Sequence, residues 1–277
     1  MVKVTDHIFV ETKYPGANVG CVITEQGPVI VDTPMLPEEA RDFCDQLQQI
    51  TSKDIAYLIY THQHFDHVMG AAYLTKRTIA YDGAISGIKY LETNLSKEIT
   101  LFFPDLYQER KETFDNLEVV LPQITFSTEL RLYMGDRTLE LSFVGGHSSA
   151  SILIYVPEDR VLFAGDNIVT GMLPVTANCR FRPWIELLRR VEEMKIDAIV
   201  PVPGEVSGPE VARDLRLYFE GMRDRVRSLV DAGATKEEVL HRIDLTDCLP
   251  LPLEEEVGLQ VAADVSLMYD QIKKGLL

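Results

Sequence analysis

The chain has 277 residues, 46% of them apolar and 25% charged, which is the balance of a soluble globular protein with a sizeable core and excludes an intrinsically disordered one. Lys and Arg number 27 against 43 Asp and Glu, a net charge of −16. A field of that sign repels polyanions and anionic membrane surfaces, so neither nucleic acid nor membrane is expected as a partner, and a small-molecule substrate is.

The first residues, Met1 to His7, carry neither a cationic leader nor an apolar stretch, and no apolar run approaches membrane-spanning length. A cytoplasmic protein is the expectation. Short β-rich runs follow at residues 7–10, 19–24 and 28–32, separated by turn residues, and they read as a strand meander. The spacing of Phe43, Leu47 and Ile50 predicts a helix opening at Pro37, with Glu38 and Glu39 favouring its positive end. Residues 55–60 are a continuous apolar run and predict a buried strand.

Directly after that strand comes Thr61-His62-Gln63-His64-Phe65-Asp66-His67. Half of the six histidines in the chain fall there. Imidazole is the commonest nitrogen ligand of divalent metals, and its placement at the carboxyl end of a strand is where open α/β sheets put their sites. A metal site accounts for the cluster better than a solvated polar loop.

Residues 84 to about 115 read as largely helical, with Ile85, Ile88, Leu91 and Leu95 on one stripe. Phe102, Phe103, Leu106 and Tyr107 then form a bulky group that could be a lid or a helix packed on a sheet. Strands are predicted at residues 130–133, 138–144, 151–156 and 161–164, a helix at 184–194, a buried strand at 198–200, and helical structure from about 208 to the end. In that last part Leu215, Phe219, Met222, Val226 and Leu229 could cover the sheet or pair two subunits as a homodimer. Cys21, Cys44, Cys179 and Cys248 are widely separated and predict buried free thiols.

Two further donors stand after predicted strands: His147 in Gly145-Gly146-His147, and Asp166 after Phe163-Ala164-Gly165. On the His-x-His-x-Asp-His signature, the later His after a Gly pair and the Asp after an apolar strand, the chain resembles the metallo-β-lactamase superfamily. The resemblance covers most of residues 7–205. It implies a single domain with a four-layer αββα sandwich of two mixed β-sheets flanked by helices, the core at about 1–207 and a helical extension at about 208–277. It also implies a ligand set: His62, His64 and His147 for a first metal, Asp66 and His67 for a second, and Asp166 bridging. Asn18 and Asp32 resemble the family's early strands, and Asp32 would brace the histidine loop, since outer carboxylates orient metal-binding imidazoles.

The expected sixth position is a His in a Pro-Gly-His turn, and here Pro203-Gly204 is followed by Glu205. If Glu205 binds, the second site becomes oxygen-rich and leans toward Mn or Fe, while the first suits Zn or Fe. The implied cofactor is therefore a pair of divalent ions, zinc first, with iron or manganese as alternatives. Two such cations lower the pKa of a shared water and aim hydroxide at an electrophilic centre, with Asp66 placed to accept and donate the proton. Arg180 and Arg182 follow in a loop that the resemblance places near the entrance, where guanidinium forks could hold an anionic group, or pair with nearby acids instead.

The leading expectation is a metal-dependent hydrolase of a small ester or thioester, resembling the glyoxalase II-like branch; the acidity argues against the nuclease branch. Asn167, Ile168 and Val169 stand where lactonases of the superfamily commonly carry a Tyr, which weakens a lactonase assignment. Two alternatives stay open: an iron-dependent oxidoreductase or dioxygenase on the same scaffold, and a weakly catalytic binding protein with an altered second site.

Overall fold

The computed structural model describes residues 1–248, 250 and 255–277. Seven strands form the first sheet in sequence order: β1 (Val2–Lys3), β2 (Ile8–Glu11), β3 (Val19–Val22), β4 (Val29–Val31), β5 (Tyr57–Ile59), β6 (Thr78–Tyr81) and β7 (Ile124–Phe126). Pairing is antiparallel from β1 to β4 and parallel from β4 to β7. The switch follows from the connections. Short loops join the early strands, whereas helices cross over between the later ones. The second sheet has the order β12 (Ala198–Pro201), β11 (Val161–Gly165), β10 (Ile152–Val156), β9 (Thr138–Phe143) and β8 (Glu129–Tyr133), antiparallel except for the β11–β12 pair.

Apolar side chains of the two sheets meet face to face, with Ile8, Val22, Val31 and Ile59 on one side and Leu141, Ile154, Phe163 and Val200 on the other. The outer faces are covered by helices. Over the first sheet lie α1 (Pro37–Gln48), α2 (Phe65–Val68), α3 (Ala71–Leu74), α4 (Ile85–Phe102), α5 (Pro104–Glu109) and α6 (Lys111–Asp115); over the second lie α7 (Phe181–Glu193), α8 (Glu210–Asp231), α9 (Lys236–Arg242) and α10 (Glu255–Lys273). This is the αββα sandwich expected from the resemblance. Sheets covered on both faces explain why β3, β4 and β11 are buried at every position and lack polar alternation.

Several expectations are refined. Helix α1 starts at Pro37 as predicted, with the Leu36 amide donating to Glu39 Oε2 at 2.9 Å, but it ends at Gln48 and leaves Ile50 partly exposed. The aromatic group at the end of α4 fulfils both readings. Leu106 and Tyr107 pack on the core, while Phe102 and Phe103 reach the site cavity. On α8, Leu215, Phe219, Met222 and Val226 are buried within the chain, so that stripe covers the sheet rather than a partner. Cys21 and Cys179 are buried, Cys44 and Cys248 half-buried, and all four are free thiols. Among the described residues no helix is long and apolar enough to cross a membrane.

Candidate metal centre

Three loops at the carboxyl ends of strands from both sheets converge on one point. The first follows β5. His62 lies on it, His64 precedes the single turn of α2, and Asp66 and His67 ride on that turn. The second is the glycine turn after β9 that carries His147. The third begins at Asp166, immediately after β11. Gly146, at φ +93°, is required in its turn, because a methyl there would meet Asn167 Oδ1 at 2.5 Å and Trp184 Cγ at 3.1 Å.

The ring protons are assigned by what each histidine touches. Asp32 is fully buried at the end of β4, with φ +61°, and accepts from the Thr61 amide at 2.8 Å, the Thr61 hydroxyl at 2.7 Å and His67 Nδ1–H at 2.8 Å. Because Thr61 spends its own proton on Asp32, its oxygen accepts from His62 Nδ1–H at 3.2 Å. His147 Nδ1–H donates to the Val175 carbonyl at 3.0 Å. In the neutral rings of His62, His67 and His147 alike, Nε2 is therefore the nitrogen left with a lone pair.

Those lone pairs have no adequate protein partner. His62 Nε2 lies 2.8 Å and His147 Nε2 3.1 Å from His64 Nδ1, so one proton at most serves three nitrogens. Asp166 Oδ2 stands 3.4 Å from His147 Nε2 and 3.9 Å from His62 Nε2. One donor atom from each of His62, His64, His147 and Asp166 fits within a 4.8 Å span. Beside this group, His67 Nε2 is 3.0 Å from Asp166 Oδ1 and 3.6 Å from Asp66 Oδ2. Despite that proximity His67 Nε2 and Asp166 Oδ1 make no aligned hydrogen bond, and both are buried without a partner. Orphaned donor atoms of mixed nitrogen and oxygen type, facing one another in this way, fit a divalent cation.

The electrostatics agree. Burial lowers His62 well below the ordinary histidine value, with repulsion from His67, His64 and His147 adding to it. Burial and His147 push His64 down to about 3. Burial also lowers His147, against the pull of Asp166. Neutral imidazoles are the ligand form. Burial opposes charge on His67, but Asp32, Asp166 and Asp66 together hold it well above its usual value. A proton there neutralises the surrounding carboxylates much as a cation would. Burial raises Asp66 to about 6, whereas Asp166, which burial would also raise, is held down at about 2 by His67 and His147.

Three sequence candidates lie elsewhere. Asn18 Nδ2 donates to the carbonyls of Pro201 at 2.8 Å and Gly204 at 2.7 Å, which fixes the turn after β12 and leaves the Glu205 side chain exposed, outside the cavity lining. Glu205 is thus not brought to the cluster. Arg180 is exposed, with its amide held by the Gly146 carbonyl at 2.9 Å, and neither it nor Arg182 lines the cavity. Arg182 opens instead onto a separate groove between α7 and α8, because the first turn of α7 faces it outward there. The sequence reading missed Thr61, Val175, Asn167 and Trp184, which position the candidate ligands. Trp184 Nε1 donates to the Asn167 carbonyl at 2.8 Å, and Asn167 Oδ1 accepts from the His147 amide at 3.0 Å.

Residues 15–203 match the family model of the metallo-β-lactamase superfamily. The chain belongs to that superfamily. A linear primary-alkylsulfatase from Pseudomonas sp. (strain ATCC 19151) is 24% identical over 260 residues, covering 79% of this chain and 48% of the relative. Metallo-β-lactamase type 2 from Elizabethkingia meningoseptica is 26% identical over 171 residues, covering 61% of this chain and 59% of the relative. Among solved structures, the stereoselective inverting sec-alkylsulfatase from Pseudomonas sp. superposes with a TM-score of 0.76 at 17% identity, covering 97% of this chain and 49% of that one. A metallo-β-lactamase family protein from Thermus thermophilus superposes with a TM-score of 0.66 at 16% identity, covering 99% of this chain and 95% of that one. The chain thus spans about half the length of these alkylsulfatases. These two relatives do not confirm the glyoxalase II-like branch.

Proposed function

We propose that this superfamily member is a metal-dependent hydrolase that cleaves a small ester or thioester. The observation that carries the reading is the convergence of His62 Nε2, His64 Nδ1, His147 Nε2 and Asp166 on one point, next to the orphaned His67 Nε2 and Asp166 Oδ1. His62, His64 and His147 would hold one cation, Asp66 and His67 a second, and Asp166 both. When bound, such ions lower the pKa of water toward neutrality and polarise the carbonyl to be attacked, so no serine or cysteine nucleophile is needed. Among the described residues no cysteine lines the cavity, and burial raises the Cys21 and Cys179 thiols far above their usual value.

The residues supply the rest. His64, Asp66, His147 and Asp166 form the floor of a cavity of about 490 Å³, a size suited to a small molecule. Asp66 reaches that floor and is the group placed to take the proton from the attacking water and return it to the leaving atom. Asp32, through Thr61 and His67, keeps the imidazoles in the tautomer that presents Nε2. Zinc and iron both suit this donor set, and the colour of aerobically purified protein separates a zinc hydrolase from an iron-centred oxidoreductase.

Sequence similarity to the alkylsulfatase supports a second reading, cleavage of a sulfate ester. One panel decides between them: zinc-, manganese- and iron(II)-loaded protein offered carboxylic esters, thioesters, alkyl sulfates and phosphodiesters. Turnover of esters or thioesters, lost at least about 10³-fold in His62→Ala, is the expected result. Turnover of sulfates alone would select the second reading, and no turnover with any metal would overturn both.

A further inference from the structure

Above its polar floor, the cavity is walled by apolar side chains from two separate elements. The end of α4 and the residue after it contribute Leu101, Phe102 and Phe103, and the loop after β11 contributes Val169, Met172 and Val175. Four of these are unusually exposed for their type: Leu101 at 69%, Phe102 at 48%, Met172 at 47% and Val175 at 45%. Large apolar groups scattered singly need no explanation, but these four line the same cavity as His64, Asp66, His147 and Asp166. Phe65 extends the same surface inward, its ring 5.9 Å from Phe102 and 6.1 Å from Phe103.

The charges in the lining have one sign. Besides the floor groups, the ionisable residue that reaches it is Glu98, and among the described residues no Lys or Arg lines the cavity. A carboxylate, sulfate or phosphate on the distal part of a substrate would lose its hydration there without gaining a counter-ion, next to a carboxylate and inside a chain of net charge −16.

From this we infer that the part of the substrate remote from the bond cleaved is an uncharged apolar acyl or alkyl chain, and that the cavity discriminates against the same chain with an anionic end. The nature of the bond rests on the hydrolase reading above; the preference of the cavity does not, and binding measures it separately.

The test compares hydroxamates, whose chelating head is constant. Calorimetric affinity of the zinc-loaded protein is expected to rise about two- to fourfold per methylene from acetohydroxamic to octanohydroxamic acid. Suberic acid monohydroxamate, which has the same chain length with a terminal carboxylate, is expected to bind at least about tenfold more weakly than octanohydroxamic acid. A second measurement needs no metal. The neutral dye Nile red is expected to bind the wild-type chain, to be displaced by octanol but not by octanedioate, and to be lost in Leu101→Asp. Affinity independent of chain length, equal or tighter binding of the carboxylate-ended ligand, or absence of Nile red binding would each overturn the inference. If the chain-length dependence holds but no ester or thioester is turned over, the reaction assigned above fails and the apolar preference stands.

Discussion

Asp32 shows how much of the centre depends on a residue that would touch no metal. It is fully buried, holds a left-handed backbone that an Asp tolerates only with support, and receives three donors from the histidine loop. Asp32→Ala strands the Thr61 amide, the Thr61 hydroxyl and His67 Nδ1. The expected result is a 10- to 100-fold loss of metal affinity, by chelator competition, with at least about 2 kcal/mol lost in urea denaturation. Asp264 on α10 is a different case. It accepts from Thr176 at 2.7 Å, Tyr218 at 2.8 Å and Gln260 at 2.7 Å, and burial pushes it up to about 6. Its folded value exceeds the unfolded one, near 3.9, so its contribution to stability is full below about pH 4 and is lost as pH rises through 6, an upper figure on the order of 3 kcal/mol. Denaturation from pH 4 to 7 should show that slope, and Asp264→Asn should flatten it. The sequence announced the histidines because three lie within six positions, whereas Asp264 and Thr61 are single polar residues whose partners come from distant segments. Glu205 and the two arginines misled for the converse reason. Their chemistry suited the site, but backbone direction sends their side chains elsewhere.

At the scale of elements, periodicity located α1 and α4 because each buries one apolar stripe. Strands β1 (Val2–Lys3), β6 (Thr78–Tyr81) and β7 (Ile124–Phe126) escaped it, lying outside the longer apolar runs that marked strands of the same length such as β4 and β5. Helix α7 begins at Phe181, before the expected Trp184, and the amide of Phe181 is satisfied by Gln271 Oε1 of α10 at 3.1 Å, a partner ninety positions away. The break between α8 and α9 was legible and overlooked: Thr235 and Glu238 form a capping box. Trp184 ties α7 to the site, with its ring 5.8 Å from that of His147 and its Nε1–H on the Asn167 carbonyl. Trp184→Ala is expected to cost about 3–5 kcal/mol by chemical denaturation and to weaken metal binding through His147, whereas Phe43→Ala under α1 should cost a similar amount with metal affinity unchanged. Equal metal affinity in both variants would separate Trp184 from the centre.

Across the whole molecule, the candidate ligands come from both layers: His62, His64, Asp66 and His67 from loops of the first sheet, His147 and Asp166 from the second. A cation between them would join the two halves of the sandwich. Removing metal by chelation should therefore lower Tm by about 10 °C, since a site held at a thousand times its Kd contributes about 4 kcal/mol and each kcal/mol moves a chain of this size by about 2–4 °C. No drop in Tm would mean that metal and fold are not linked. The sandwich itself was not legible from periodicity, which cannot say which strands share a sheet; the motif resemblance supplied it. Metal content per chain after equilibrium dialysis against zinc is the most direct measurement. The account predicts two zinc ions in the wild type and in Glu205→Ala, and a loss of at least one in His147→Ala and in Asp166→Ala; unchanged content in those last two variants would contradict it.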